Sequence, residues 1–162
     1  MALLQGVKRQ DLQAVLDHRL RLNPGAVELL RTCHDAGLHT VLVSGGFTFF
    51  ADAVQQSLGI RFMRSNELEF QGDVLTGGLV PQPWGDICDG EEKRRTLVEQ
   101  CAAVGCSPNQ AIAVGDGSND LPMMRIAGVS VAYHAKPKVR EEALLCIDQG
   151  GLDRLLEVVQ PD

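Results

Sequence analysis

Two stretches of this sequence repeat one order of events: a short β-branched or aliphatic run, a glycine-bearing polar turn, then helical spacing. His39 to Val43 (HTVLV) runs into Ser44-Gly45-Gly46, after which Phe47 to Leu58 is helical in its periodicity and stops at Gly59. Ala111 to Val114 (AIAV) runs into Gly115-Asp116-Gly117-Ser118-Asn119-Asp120 and a short helix to Ala127. Such alternation argues for an α/β fold, a parallel sheet with helices on its faces. In open sheets of this kind ligands sit outside the carboxyl ends of strands, so the two turns are the places to look for chemistry.

The remaining pattern agrees with this class. Asp11 to Leu20 reads as a helix with Leu12, Val15, Leu16 and Leu20 on one face. A second helix opens at Asn23-Pro24 and closes at Gly37. Ile60 to Met63 reads as a short strand. Glu67 to Phe70 and Val74 to Val80, joined at Gln71-Gly72-Asp73, read as a β-hairpin over about residues 66–80. Pro81 to Gly90 is a loop and Glu91 to Val104 a helix. Strands at Val129 to Ala132 and Leu144 to Ile147, with helices at Lys138 to Ala143 and Leu152 to Val159, complete the chain.

Composition narrows the function. A length of 162 residues supports a real core, and a net charge of −6 argues against attraction to nucleic acid or to anionic membranes. The longest stretch without a charge, Ala36 to Ala51, has 16 residues, short of the ~20 apolar residues that span a bilayer. The start, MALLQGVKRQ, lacks the order of a secretory signal, and the expected setting is the cytoplasm. Five cysteines without a C-x-x-C pair read as reduced thiols in apolar surroundings.

Ser44, Gly45 and Gly46 combine a hydroxyl with glycines that let backbone N–H groups approach an anion at a helix start, although a tight turn without a ligand looks similar. The turn from Gly115 to Asp120 is more specific, with two carboxylates and a carboxamide at a strand end. Asp116 suits Mg²⁺, which takes one or two carboxylates plus phosphate and water; an Asn/Asp-rich helix cap is the alternative. Lys93, at a helix start where the dipole disfavours cations, reads by itself as a charge on a solvated face. Trp84 and Phe70 either shape the mouth of a site or simply pack.

Together, LVSGGFTFF, SNELEFQGDVLTG, Lys93, GDGSNDLPMM and Val131-Ala132-Tyr133-His134-Ala135-Lys136-Pro137 resemble the haloacid dehalogenase superfamily, and within it the phosphoserine phosphatases. The resemblance covers nearly the whole chain, in the order of the superfamily's second, third and fourth motifs. It implies a Rossmann-like parallel sheet flanked by helices, with a hairpin flap. Residues 1–22 would be the remnant of a helical cap and residues 23–162 the α/β core. It further implies Mg²⁺-dependent hydrolysis of a small phosphorylated metabolite, phosphoserine, in L-serine biosynthesis. Ser44 and the Gly45 amide would hold the phosphate, and Lys93 would offset charge on the phosphate and the nucleophile. Asp116 would ligate Mg²⁺, Asn119 would contact the phosphate region, and Asp120 would position Lys93 and Ser44.

The superfamily's first motif, Asp-x-Asp-x-Thr or Val, supplies the aspartate that is phosphorylated. No Asp-x-Asp occurs in these 162 residues. The chain therefore reads as a truncated phosphatase, inactive on its own, or as a non-catalytic relative that binds Mg²⁺, a phosphorylated metabolite or a partner chain. An Asp-x-Asp-x-Thr segment encoded upstream decides for the first. The strand carrying that motif lies between the strand ending at Ser44 and the strand ending before Asp116, so Thr40–Val43 and Ala111–Val114 are expected to face a gap. An isolated monomer is then expected to be poorly stable, unless the gap is closed by direct pairing of the two strands, by a strand of a second chain, or by the missing N-terminal segment itself.

Overall fold

The structure is a computed structural model and describes residues 2–158. It is mixed α/β, with six strands in two three-stranded sheets, ordered β1-β2-β3 and β4-β5-β6. The chain forms two compact units. One holds Met1–Leu22 and Leu42–Cys88; the other holds Asn23–Val41 and Asp89–Asp162. The chain crosses between the units three times, after Leu22, Val41 and Cys88.

In the first unit, helix α1 (Arg9–His18) buries Leu12, while Val15 is exposed and Leu20 lies beyond the helix, so the expected apolar face is narrower than its spacing implied. Strand β1 (Val41–Phe47) starts two residues later than His39 and runs straight through Ser44-Gly45-Gly46. Neither Gly45 nor Gly46 has positive φ, so the expected glycine turn is extended backbone, and helix α3 (Thr48–Leu58) begins only at Thr48. Gly59, at φ 65°, ends α3.

A single strand β2 (Phe62–Gln71) replaces the two short runs expected, because Ser65 and Asn66 continue the extended chain as buried polar residues. It pairs antiparallel with β3 (Val74–Val80) across a turn at Gly72, with a bulge between Leu68 and Phe70. Leu12, Leu68 and Leu75 form this unit's core, joined by Phe47, Phe49 and Phe50.

In the second unit, helix α2 (Ala26–Asp35) is capped by Gly25 at φ 79° instead of by Asn23. The reason lies in tertiary contact. The Pro24 carbonyl accepts the Leu152 N–H at 2.7 Å, and a Cβ on Gly25 would collide with Asp153. Helix α4 (Gly90–Ala103) is capped by the Asp89 carboxylate, which accepts the Glu92 N–H at 2.9 Å.

Strands β4 (Ile112–Gly115), β5 (Val129–Tyr133) and β6 (Leu145–Ile147) are parallel, in the register Gly115 opposite Ala132 and Tyr133 opposite Ile147. Helices α5 (Leu121–Ile126) and α6 (Pro137–Glu142) are the crossovers. The last helical stretch is a 3-10 helix, Leu152–Glu157; Val159 lies outside the described residues. Leu29, Val131, Ile147 and Leu155 form the core here.

β1 and β4 are each the outermost strand of their own sheet, with β2 and β5 as their partners. Each therefore keeps one edge without a strand partner among the described residues. All five cysteines are free, as expected, but Cys146 is exposed and does not sit in an apolar pocket. Among the described residues no helix is long and apolar enough to cross a membrane.

Candidate active site

The second unit concentrates charge at the carboxyl end of β4. Gly115 ends the strand, Asp116 and Gly117 turn the chain, and Ser118–Asp120 form a 3-10 turn that leads into α5. Asp120 folds back over its own turn. Its Oδ2 accepts the backbone N–H of Asp116 at 2.9 Å and of Gly117 at 3.1 Å, and its Oδ1 accepts from Lys93 Nζ at 2.7 Å. Gly115 is required for this approach, because a Cβ there would lie 2.8 Å from Asp120 Oδ2.

Lys93 is the largest correction to the reading of single residues. It is 5% exposed, not a solvated charge, and its ammonium sits in the first turn of α4 against the helix dipole. The Asp120 carboxylate, itself buried, offsets both penalties. Beside Lys93, Glu92 is also buried and pairs with Arg95 at 2.9 Å.

Burial pushes the Asp120 carboxyl up, but the Lys93 ammonium and the two backbone N–H groups outweigh it and hold the group below its ordinary value. A lowered carboxyl stabilises the fold at pH values above the group's unfolded value and loses that contribution as pH falls through the lowered one. Denaturant midpoints of wild type and Asp120→Asn, measured from pH 7 down to pH 3, should therefore begin to converge as pH falls below about 4. A constant difference over that range would show that Asp120 does not titrate against Lys93.

Asp116 keeps its carboxylate exposed and free of hydrogen bonds among the described residues, while its carbonyl accepts the Lys136 N–H at 3.1 Å. Asn119 is exposed in the same turn. The structure thus brings Lys93, Asp116, Asn119 and Asp120 onto neighbouring backbone.

Ser44 and Gly45 lie in the first unit, on β1. Ser44 Oγ accepts the Gly46 N–H at 3.0 Å. The carbonyls of Gly45 and Gly46 accept from Asn66 Nδ2 at 3.0 and 3.2 Å, and Asn66 Oδ1 accepts the Cys88 N–H at 2.7 Å. Sequence reasoning passed over Asn66. The signal was present, since an Asn inside a strand is disfavoured and, once buried, must find partners. Phe70 carries the Arg9 guanidinium over its ring at 3.8 Å, and Trp84 has Arg64 at 5.4 Å, so both aromatics pack against cations.

The family model described as haloacid dehalogenase-like hydrolase matches residues 1–125. The chain belongs to the haloacid dehalogenase-like hydrolases. Within that family it is similar to a phosphoserine phosphatase of Polaromonas sp., 61% identical over 160 residues that make up 99% of this chain and 68% of that protein. Among solved structures, a haloacid dehalogenase family hydrolase from Salmonella enterica serovar Typhi superimposes with a TM-score of 0.90 at 33% identity, over 99% of this chain and 54% of its own. A structure described as a phospho-aspartyl intermediate analogue of phosphoserine phosphatase gives a TM-score of 0.90 at 27% identity, over 98% of this chain and 74% of its own. The chain therefore spans between about half and three quarters of these haloacid dehalogenase-like relatives.

Proposed function

We propose that the chain carries the phosphate-binding, charge-compensating and metal-binding residues of a Mg²⁺-dependent phosphomonoesterase acting on phosphoserine, and that the aspartyl nucleophile comes from outside these 162 residues. The observation that carries this reading is the buried Lys93–Asp120 pair beside the open carboxylate of Asp116. A cation kept from water, on a carboxylate fixed by two backbone N–H groups, is preorganised charge of the kind that stabilises a phosphoryl group in transfer. The similarity to phosphoserine phosphatases supports the choice of substrate.

In this reading Ser44 and the Gly45 N–H donate to phosphate oxygens, and Lys93 compensates charge on the phosphate and on the incoming carboxylate. Asp120 keeps Lys93 in place, and Asn119 contacts the phosphate. Residues 1–22 are what remains of a helical cap.

The donor set fits Mg²⁺ as an open site. Asp116 offers one uncommitted hard carboxylate, and no group of three metal-ligating side chains converges among the described residues. Mg²⁺ commonly takes one or two carboxylates and completes its shell with phosphate and water. The chemistry it supplies when bound is neutralisation of charge on the phosphoryl oxygens.

The test is restoration. Fused to a strand segment ending in Asp-x-Asp-x-Thr, the chain should gain Mg²⁺-dependent phosphate release from phosphoserine. In that restored enzyme Lys93→Ala should lower kcat/KM by roughly 10²–10³ or more. An unchanged kcat/KM would remove Lys93 from the chemistry and with it the reading.

A further inference from the structure

Asn66 is 4% exposed, and three of the hydrogen bonds a carboxamide can make are filled by backbone. Its orientation follows from its partners: the Cys88 N–H can only donate, so it meets Oδ1, and the two glycine carbonyls can only accept, so they meet Nδ2. Every one of these contacts lies inside the first unit.

The consequence passes along β1. In a planar trans peptide the carbonyl and the N–H point in opposite directions. Holding the Gly45 carbonyl on Asn66 therefore turns the Gly46 N–H away from it, and that N–H donates to Ser44 Oγ at 3.0 Å. A serine hydroxyl has one proton to donate and accepts through its lone pairs. With an acceptor position of Oγ taken by Gly46, the Ser44 O–H proton is left for an outside acceptor. Gly46 itself is constrained by this contact, since a Cβ there would stand 3.2 Å from Ser44 Oγ.

We propose that Asn66 is a positioning residue: its carboxamide fixes the Gly45–Gly46 peptide so that Ser44 presents its hydroxyl proton to a phosphate oxygen. The proposal rests on the reading of Ser44 as a phosphate ligand. Asn66 touches no substrate in this scheme; it acts through the two glycine peptides.

The experiment uses the whole chain, with inorganic phosphate as the probe and backbone amide NMR as the readout, for wild type, Ser44→Ala, Asn66→Asp and Asn66→Ala. Asn66→Asp keeps the acceptor for Cys88 but sets a carboxylate against two carbonyls; Asn66→Ala removes the donors without adding charge. In wild type, phosphate should shift the Gly46 N–H and the Asn66 side-chain amide together. Both Asn66 variants should speed hydrogen exchange at Gly46, leave exchange at Leu75 on β3 unchanged, and weaken phosphate binding at least about tenfold, as Ser44→Ala does. Phosphate binding that is absent in wild type, or unaffected by Ser44→Ala, overturns the Ser44 reading and this proposal together. Binding lost in Ser44→Ala but kept in both Asn66 variants overturns this proposal alone. Where neither Asn66 variant folds, the wild-type titration decides: a Gly46 shift without an Asn66 side-chain shift refutes the coupling.

Discussion

Assayed by itself with Mg²⁺ and phosphoserine, the 162-residue chain is expected to release no measurable phosphate. Loss of the nucleophile from a covalent hydrolase costs on the order of 10⁶ in rate, or ~8 kcal/mol of barrier. Neither carboxylate of the β4 turn is placed to substitute. Asp120 has both oxygens engaged, by Lys93 on one side and two backbone N–H groups on the other. Asp116 stands without a second acid two residues away, so nothing in its segment reproduces the nucleophile and acid/base pair of the first motif. Steady-state turnover above ~1 s⁻¹, within the ordinary enzyme range, that disappears in Asp116→Ala would contradict this and require a new nucleophile.

The second large effect concerns stability. Lys93→Met should destabilise the fold by about 3–5 kcal/mol, because it strands a buried carboxylate. Asp120→Ala should cost a similar amount, since it strands the ammonium and also releases the Asp116 and Gly117 N–H groups. Against a total of ~5–15 kcal/mol for a domain, either change is severe. The double variant should cost less than the two single losses combined, by about 1–3 kcal/mol, since neither charge is then left unpaired. Urea denaturation of all four proteins gives the cycle. Strict additivity would mean that the 2.7 Å contact carries no coupling.

Local signals located the end of β4 well and the end of β1 poorly. AIAV followed by GDGSND placed β4 and its turn to within a residue, because an aliphatic run bounded by glycine and Asn/Asp is unambiguous over so short a span. The same rule failed at Ser44-Gly45-Gly46. At Gly46 the constraint is a Cβ that would stand 3.2 Å from Ser44 Oγ, not positive φ, and the carbonyls of both glycines accept from Asn66 on β2, some 20 residues further along. Lys93 was misjudged as a lone residue for a related reason. Its burial depends on Asp120, which lies 27 positions away and becomes its neighbour only when α4 packs beside the β4 turn. Likewise the cap of α2 moved from Asn23 to Gly25 because the turn at Gly151 to Asp153 docks on that backbone.

The interleaving of the two units has a consequence in time. Helix α2 is made well before one of the residues that cover its Leu29, because Leu155 follows about 126 positions later. At roughly 5–20 residues per second, a ribosome takes about 6–25 seconds to add the residues between them. For that interval Leu29, Leu30 and Cys33 lack Leu155, whereas the β2–β3 hairpin is complete at Val80 and can by then pack on α1. The first unit, complete at Cys88, can therefore consolidate while the second still lacks Leu155.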